Sequence, residues 1–159
     1  MSIEKAKEYL KQFNKDKDVI ELQDSTATVE LAAKALGVIP ARIAKTLSFK
    51  TDEGCVLIVT AGDTKIDNKK YKNYFGTKAK MLTPDEVVEY IGHAIGGVCP
   101  FGVKENVRIY CDVSLQRFAT VFPACGSANS AIELTCDELF NIAKAQEWVD
   151  ICKIPEINP

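Results

Sequence analysis

The sequence predicts a mixed α/β (α+β) domain around one curved, partly barrel-like mixed sheet with flanking helices, and three observations carry that expectation. Ala44-Lys45-Thr46-Leu47-Ser48-Phe49-Lys50 alternates as a strand does, Thr51-Asp52-Glu53-Gly54 has turn chemistry, and Cys55-Val56-Leu57-Ile58-Val59-Thr60 is continuously apolar. Together they spell a β-hairpin whose second strand is buried on both faces. Two capping boxes, Thr83-Pro84-Asp85-Glu86 and Thr135-Cys136-Asp137-Glu138, open helices. Strands and helices also follow one another without the regular βαβ alternation of a doubly wound sheet. At 159 residues, 47% hydrophobic and 26% charged, the chain has room for one real core, and with no repeat or linker a single domain over 1–159 is expected.

In chain order, Ser2 to Phe13 places Ile3, Ala6, Tyr9, Leu10 and Phe13 at helical spacing. Val19 to Leu22 reads as a short strand. Thr28-Val29-Glu30 opens a helix that Gly37 closes, and Pro40 to Ile43 forms a short turn or helix. After the hairpin, a helix is expected from about Asn68 to Phe75, ended by Gly76, and then a short strand over Ala79 to Leu82. The helix opened by Thr83 stops at Gly92. Val107 to Cys111, Ala119 to Phe122 and Ala131 to Leu134 read as strands, and the tail after Trp148 as a surface wrap.

Composition excludes several classes. A net charge of −2 and a pI of about 5.5 argue against a general nucleic-acid binder, which needs a basic face to neutralise many phosphates. No apolar run approaches a membrane span, and Met-Ser-Ile-Glu-Lys is no signal peptide, so a cytoplasmic protein without membrane association is expected. Six scattered cysteines without a Cys-x-x-Cys pair, and His93 as the only histidine, give no metal-ligand spacing. No metal or cofactor is called for. One local basic cluster stands out: Lys65, Lys69, Lys70, Lys72, Lys78 and Lys80, interleaved with Tyr71, Tyr74 and Phe75. It is either a solvated helix face or a patch for a polyanion, with Lys69, Lys70 and Lys72 as candidate contacts.

Two further features point to a site. Gly96-Gly97-Val98-Cys99-Pro100-Phe101-Gly102 packs three glycines and a proline into seven residues, suiting a stiff rim of backbone N–H donors for a carbonyl, phosphate or carboxylate, or simply a tight turn. Lys45 shares a strand face with Leu47 and Phe49 by the two-residue period. It either snorkels to water or sets an ammonium in a pocket.

The order of Ser25-Thr26-Ala27-Thr28-Val29-Glu30, Ile43-Ala44-Lys45-Thr46-Leu47, Ala61-Gly62-Asp63, the 96–102 loop, and Gly126-Ser127 with Ile132-Glu133-Leu134 resembles the prolyl-tRNA editing family of the YbaK/EbsC type, aminoacyl-tRNA deacylases related to the insertion domain of bacterial prolyl-tRNA synthetases. The resemblance spans about residues 20 to 142. It implies hydrolysis of the ester between a wrong amino acid and the terminal adenosine of transfer RNA, with the acceptor end as partner and prolyl-tRNA synthetase as a further candidate. It implies a pocket lysine needed for activity at Lys45, beside Thr46, and a loop closing over the aminoacyl group at Gly96, Gly97 and Pro100 to Gly102. Gly126 and Ser127 line the other wall. Gly97 joins Lys45 as a catalytic candidate through its backbone N–H, while His93, Cys99 and Phe101 are candidate substrate contacts.

Ester hydrolysis develops negative charge on the carbonyl oxygen, which amides of a glycine loop can meet. No Ser-His-Asp set is present: His93, just before the loop, is a pocket wall, a base or a helix-end residue, the last being favoured. Cys99 and Cys125 have no activating partner in view but Lys45 or His93, and read as small apolar walls. Ser127-Ala128-Asn129-Ser130 departs from the basic pair of the cysteinyl-tRNA deacylases, leaving cysteine, alanine or serine open as the edited residue. The rival expectation is a non-catalytic module that uses the same pocket to hold an aminoacyl end or a protein.

Overall fold

The computed structural model describes residues 2–93 and 97–155, so Gly96 lies outside the described residues. The expected hairpin forms from β2 (Ile43–Thr51) and β3 (Gly54–Ala61), antiparallel from Ala44 opposite Ala61 to Thr51 opposite Gly54. Residues 55–61 of β3 are all buried, as a continuous apolar run requires. β5 (Arg108–Asp112) lies parallel to β3, and β9 (Trp148–Val149) lies parallel to β5. On the other side, β6 (Thr120–Pro123) is parallel to β2, and β8 (Leu134–Thr135) is antiparallel to β6. The resulting six-stranded sheet, in the order β8-β6-β2-β3-β5-β9, curls into a half-barrel.

Helices cover both faces. α1 (Ser2–Lys11), α4 (Pro84–Ile91) and α5 (Cys136–Ile142) bury Ala6, Leu10, Val87, Ile91, Leu139 and Ile142 in the largest core cluster, with Leu57 and Val59 of β3. α2 (Val29–Leu36) packs Ala32 and Ala33 with Ile43 and Phe122. Local chemistry sets the helix ends. The Thr28 hydroxyl accepts from the Leu31 N–H, Gly37 closes α2 at φ 70°, and both capping boxes form, at Thr83/Glu86 and Thr135/Glu138.

The lysine-rich segment is helical over α3 (Asn68–Phe75), with Asp67 accepting from the Lys69 and Lys70 N–H groups. Its aromatics are anchors: Tyr71 is fully buried, 5.1 Å from the Phe49 ring and 4.6 Å from Phe75. Lys69, Lys70 and Lys72 are exposed on the outer side.

Three sequence expectations need correction. Residues 79–82 form no strand, only one bridge of Met81 to Phe49. Ala131 to Leu134 splits into β7 (Ser130–Ala131), which pairs with β1 (Ile20–Glu21), and β8, which pairs with β6; one segment serves two partners, so neither ladder runs through Ile132 and Glu133. The tail is no surface wrap. Val149, Ile151 and Cys152 are buried with Tyr71 in a second core, and β10 (Cys152–Lys153) pairs with β4 (Lys65–Ile66). Apolar burial outweighs the turn-like composition around them.

Candidate functional site

The site is a break in the sheet. β6 pairs with β2 only at Ile43 and Ala44. Further along, the strand's outer edge is covered by the segment after α3, where the Lys50 N–H donates to the Lys80 carbonyl at 2.7 Å and the Leu82 N–H to the Ser48 carbonyl at 3.3 Å. Those bonds show that even-numbered residues of β2 aim their backbone groups outward, so strand alternation aims the Thr46 N–H and C=O there too. Among the described residues no ladder covers that edge at Thr46. A cavity of about 250 Å³ opens there, with residues 44–48 as its floor. Thr26 to Val29 and Phe122 form one wall; Met81, Leu82, Val87 and Val98 form the other.

Lys45 lies on this floor, yet its side chain leaves on the face of Leu47 and Phe49, opposite Thr60. The ammonium donates to the carbonyls of Thr64 and, at 3.5 Å, Gly62. Burial lowers its pKa. Asp63 and Glu30 attract it from beyond ion-pair distance, and Asp63 is itself held in a two-pronged pair with Arg117 at 2.6 and 3.1 Å. The nearby Cys152 thiol, pushed up to about 12 by burial, is neutral. Lys45 is therefore a half-buried cation hydrogen-bonded to carbonyls, with those two carboxylates attracting it only from a distance, and it is suited to an incoming anion.

The glycine loop reaches the cleft through Val98 alone among its described residues. Gly97 is buried against the other glycine segment: a Cβ there would sit 2.7 Å from the Gly126 carbonyl carbon and 2.8 Å from the Ser127 nitrogen. The structure thus brings Gly97, Gly126 and Ser127 into contact. The Ser127 hydroxyl donates to Ser130, whose side chain lines the cleft. Cys99, Pro100 and Phe101 are buried, Cys99 and Phe101 in the main core, and Gly102, at φ 71°, packs on the Lys5 carbonyl of α1. They support the loop and do not line the cleft.

His93 does not line it either. Gly92 ends α4 with φ 94°, and the next residue turns inward, fully buried, its Nε2 donating to the Phe101 carbonyl at 2.7 Å. His93 does follow the helix end directly, and its buried ring pins the loop's return. Burial lowers the His93 pKa, so below about 6.5 the unfolded chain binds a proton more readily than the folded one. Wild type should therefore lose more thermal stability between pH 6.5 and 5 than His93→Gln, as melting curves across that range will read. The Cys99 thiol, 3.7 Å from the same nitrogen, is pushed up to about 12 by burial.

None of Lys69, Lys70 and Lys72 borders the cleft, and Lys70 is paired with Asp150 at 3.0 Å. Sequence reasoning missed Thr26, Ser48, Met81 and Ser130. Thr26 falls within the Ser25 to Glu30 stretch that carries part of the family resemblance, and that stretch was the available signal. No helix among the described residues is long and apolar enough to cross a membrane.

A model of the aminoacyl-tRNA editing domain matches residues 23–142. The chain is 54% identical over 154 residues to "Uncharacterized protein YwhH" of Bacillus subtilis (strain 168), covering 96% of this chain and 98% of YwhH. It is 34% identical over 136 residues to a proline–tRNA ligase of Geobacillus sp. (strain WCH70), covering 83% of this chain and 23% of the ligase. The chain spans under a quarter of that ligase's length. The crystal structure of a candidate trans-editing enzyme for prolyl tRNA synthetase superposes with a TM-score of 0.86 at 31% identity, over 96% of this chain and 97% of the other.

Proposed function

The chain belongs to the aminoacyl-tRNA editing domain family, and from that premise we propose that it is a deacylase acting in trans, hydrolysing the ester that joins a mischarged amino acid to the terminal adenosine of transfer RNA, with tRNA-Pro as the carrier. The observation that carries this reading is that two segments about fifty residues apart, the Lys45 strand and the loop at Val98, wall one cleft of amino-acid size.

Within this reading the aminoacyl side chain enters the cleft and the ester lies at its mouth. Water adds to the carbonyl carbon, negative charge collects on the carbonyl oxygen, the carbon–oxygen bond to the ribose breaks, and the ribose oxygen takes a proton. Loop amides such as that of Gly97 meet the developing oxyanion; one such donor is worth about 3 kcal/mol. Among the described residues neither the imidazole nor the Cys99 thiol is placed to act as nucleophile. The only imidazole uses its N–H on the Phe101 carbonyl and is kept neutral by burial, and the Cys99 thiol stays protonated. A backbone carbonyl or the ribose hydroxyl beside the ester activates the water, and Lys45 neutralises the terminal phosphate. Lys69 and Lys72, exposed on α3, give the acceptor stem a weak, salt-sensitive hold. Prolyl-tRNA synthetase, which charges the same transfer RNA, is the expected functional partner.

A panel of mischarged transfer RNAs tests the reading. Hydrolysis of one or a few of them supports it; protection of the ester, or no effect on any, replaces it with a binding module. Cys99→Ala should keep deacylation within about threefold of wild type, since a thiol held protonated is no nucleophile, and a large loss would call for covalent catalysis.

A further inference from the structure

We propose that Arg117 is a positioning residue for Lys45: by holding both oxygens of Asp63 it keeps that carboxylate off the ammonium and leaves the charge free for an anion. The proposal rests on the deacylase reading for the identity of that anion, a phosphate of the acceptor end.

The ammonium is held by the turn that leaves β3. Its two acceptors are the carbonyls of Gly62 and Thr64, and Asp63 is the residue between them. The turn is closed on itself, the Thr64 N–H and hydroxyl both donating to the Ala61 carbonyl, at 3.2 and 2.7 Å. It has no room to shift toward α2 either, because a Cβ at Gly62 would clash with the Pro40 carbonyl oxygen and come within 2.7 Å of Val29 Cγ1. Backbone packing therefore places the two carbonyls. What the turn leaves free is the Asp63 side chain.

Arg117 removes that freedom. It ends the short helical turn Val113–Arg117 after β5, where the Ser114 hydroxyl accepts from the Ala61 N–H at 3.2 Å and ties the two segments together. The Arg117 Nε donates to the Ser114 carbonyl at 2.8 Å, and its guanidinium carbon lies 5.0 Å from the centre of the Phe118 ring. With the plane fixed on those two sides, the terminal nitrogens meet the two oxygens of Asp63 as a planar fork, which holds a carboxylate in one orientation. Burial lowers the Lys45 pKa, and the titratable groups that act on it from the surrounding elements are Cys152 of β10, Asp63, Glu30 of α2 and Lys65 of β4. Cys152 is neutral, Lys65 repels the ammonium, and Glu30 belongs to a separate helix. Asp63 is the acid carried by the very turn that bonds Lys45. Released from the fork, it would pair with the ammonium, neutralise the charge that the anion needs and raise the Lys45 pKa.

The neutral amine of Lys45 is read by its rate of labelling with acetic anhydride at about pH 8, followed by peptide mass spectrometry. Arg117→Ala should slow that labelling by about tenfold, the effect of an opposite charge arriving within about 4–6 Å, and adding Asp63→Asn should restore it to within about threefold of wild type. Deacylation should follow the same order, with about tenfold lost in kcat/KM in the single variant and most of it regained in the double one. An arginine that merely braces the turn predicts otherwise, since the double variant lacks the brace as well. Unchanged labelling in Arg117→Ala overturns the proposal, and so does a double variant that labels or turns over no faster than the single one. Arg117→Gln, which keeps the stem beside Phe118 without the charge, is measured in the same way and carries the test if the alanine variant does not fold. If wild type hydrolyses no mischarged transfer RNA, the deacylase reading is what fails, and the labelling rates alone decide whether Arg117 keeps Asp63 off Lys45.

Discussion

Lys45→Ala should lower single-turnover deacylation by about a hundredfold or more, the scale on which losing one charge-stabilising donor acts, while the protein stays folded. The two halves of that expectation have separate grounds. The side chain is half-buried at the rim of the second core, and its ammonium bonds only the carbonyls of Gly62 and Thr64. Truncation frees two carbonyls beside solvent, a cost of about 1 kcal/mol and a shift of a few degrees in melting temperature. The catalytic loss is larger because no carboxylate pairs with the ammonium directly: Asp63 is bound to Arg117, Glu30 acts on it only at longer range, and Cys152 is neutral. To serve a phosphate, the ammonium exchanges two dipoles for a full opposite charge, a favourable trade in a partly dry setting. Normal turnover in the variant, with an unchanged melting curve, would remove Lys45 from the site.

Gly97→Ala should cost both stability and turnover. The added methyl would meet main-chain atoms of Gly126 and Ser127 at 2.7 to 2.8 Å, and a backbone cannot rotate aside as a side chain does. The two segments must part, at a cost of about 1–3 kcal/mol for such overpacking. Parting them shifts the loop amides against the ester, and a displacement of about 1 Å can lower a rate by about a hundredfold. Melting curves read the first effect and single-turnover deacylation the second. A folded variant with wild-type turnover would show that this contact does not position the amides.

The helices were legible because their signals are local. Thr28 and Gly37 bracket α2, and both capping boxes close as their spacing requires. The hairpin and the burial of β3 followed from alternation and a continuous apolar run. Two-residue strands such as β9 and β10 carry no periodicity to detect, and only tertiary partners make them strands. At the site, Lys45 and Thr46 were found by their place in a strand and by resemblance. The cleft itself was not foreseen, because it depends on where β6 leaves β2, a boundary written in neither strand alone. Thr26 escaped for the same reason, since its place in the wall is set by the Ala128 carbonyl, far downstream in the chain. His93 was read at the helix end, where it lies, but its burial was not legible, because a residue just past a helix cap has two directions open to it, and the pull of the core decides.

The floor of the cleft between the ends of its two neighbouring ladders is peptide backbone, which no single base change in a gene can remove. Relatives that diverge in preference would therefore be expected to rewrite the surrounding walls, Thr26 and Met81 among them, while inheriting the gap unchanged. Such a division lets a lineage explore new guests without rebuilding the chamber that receives them.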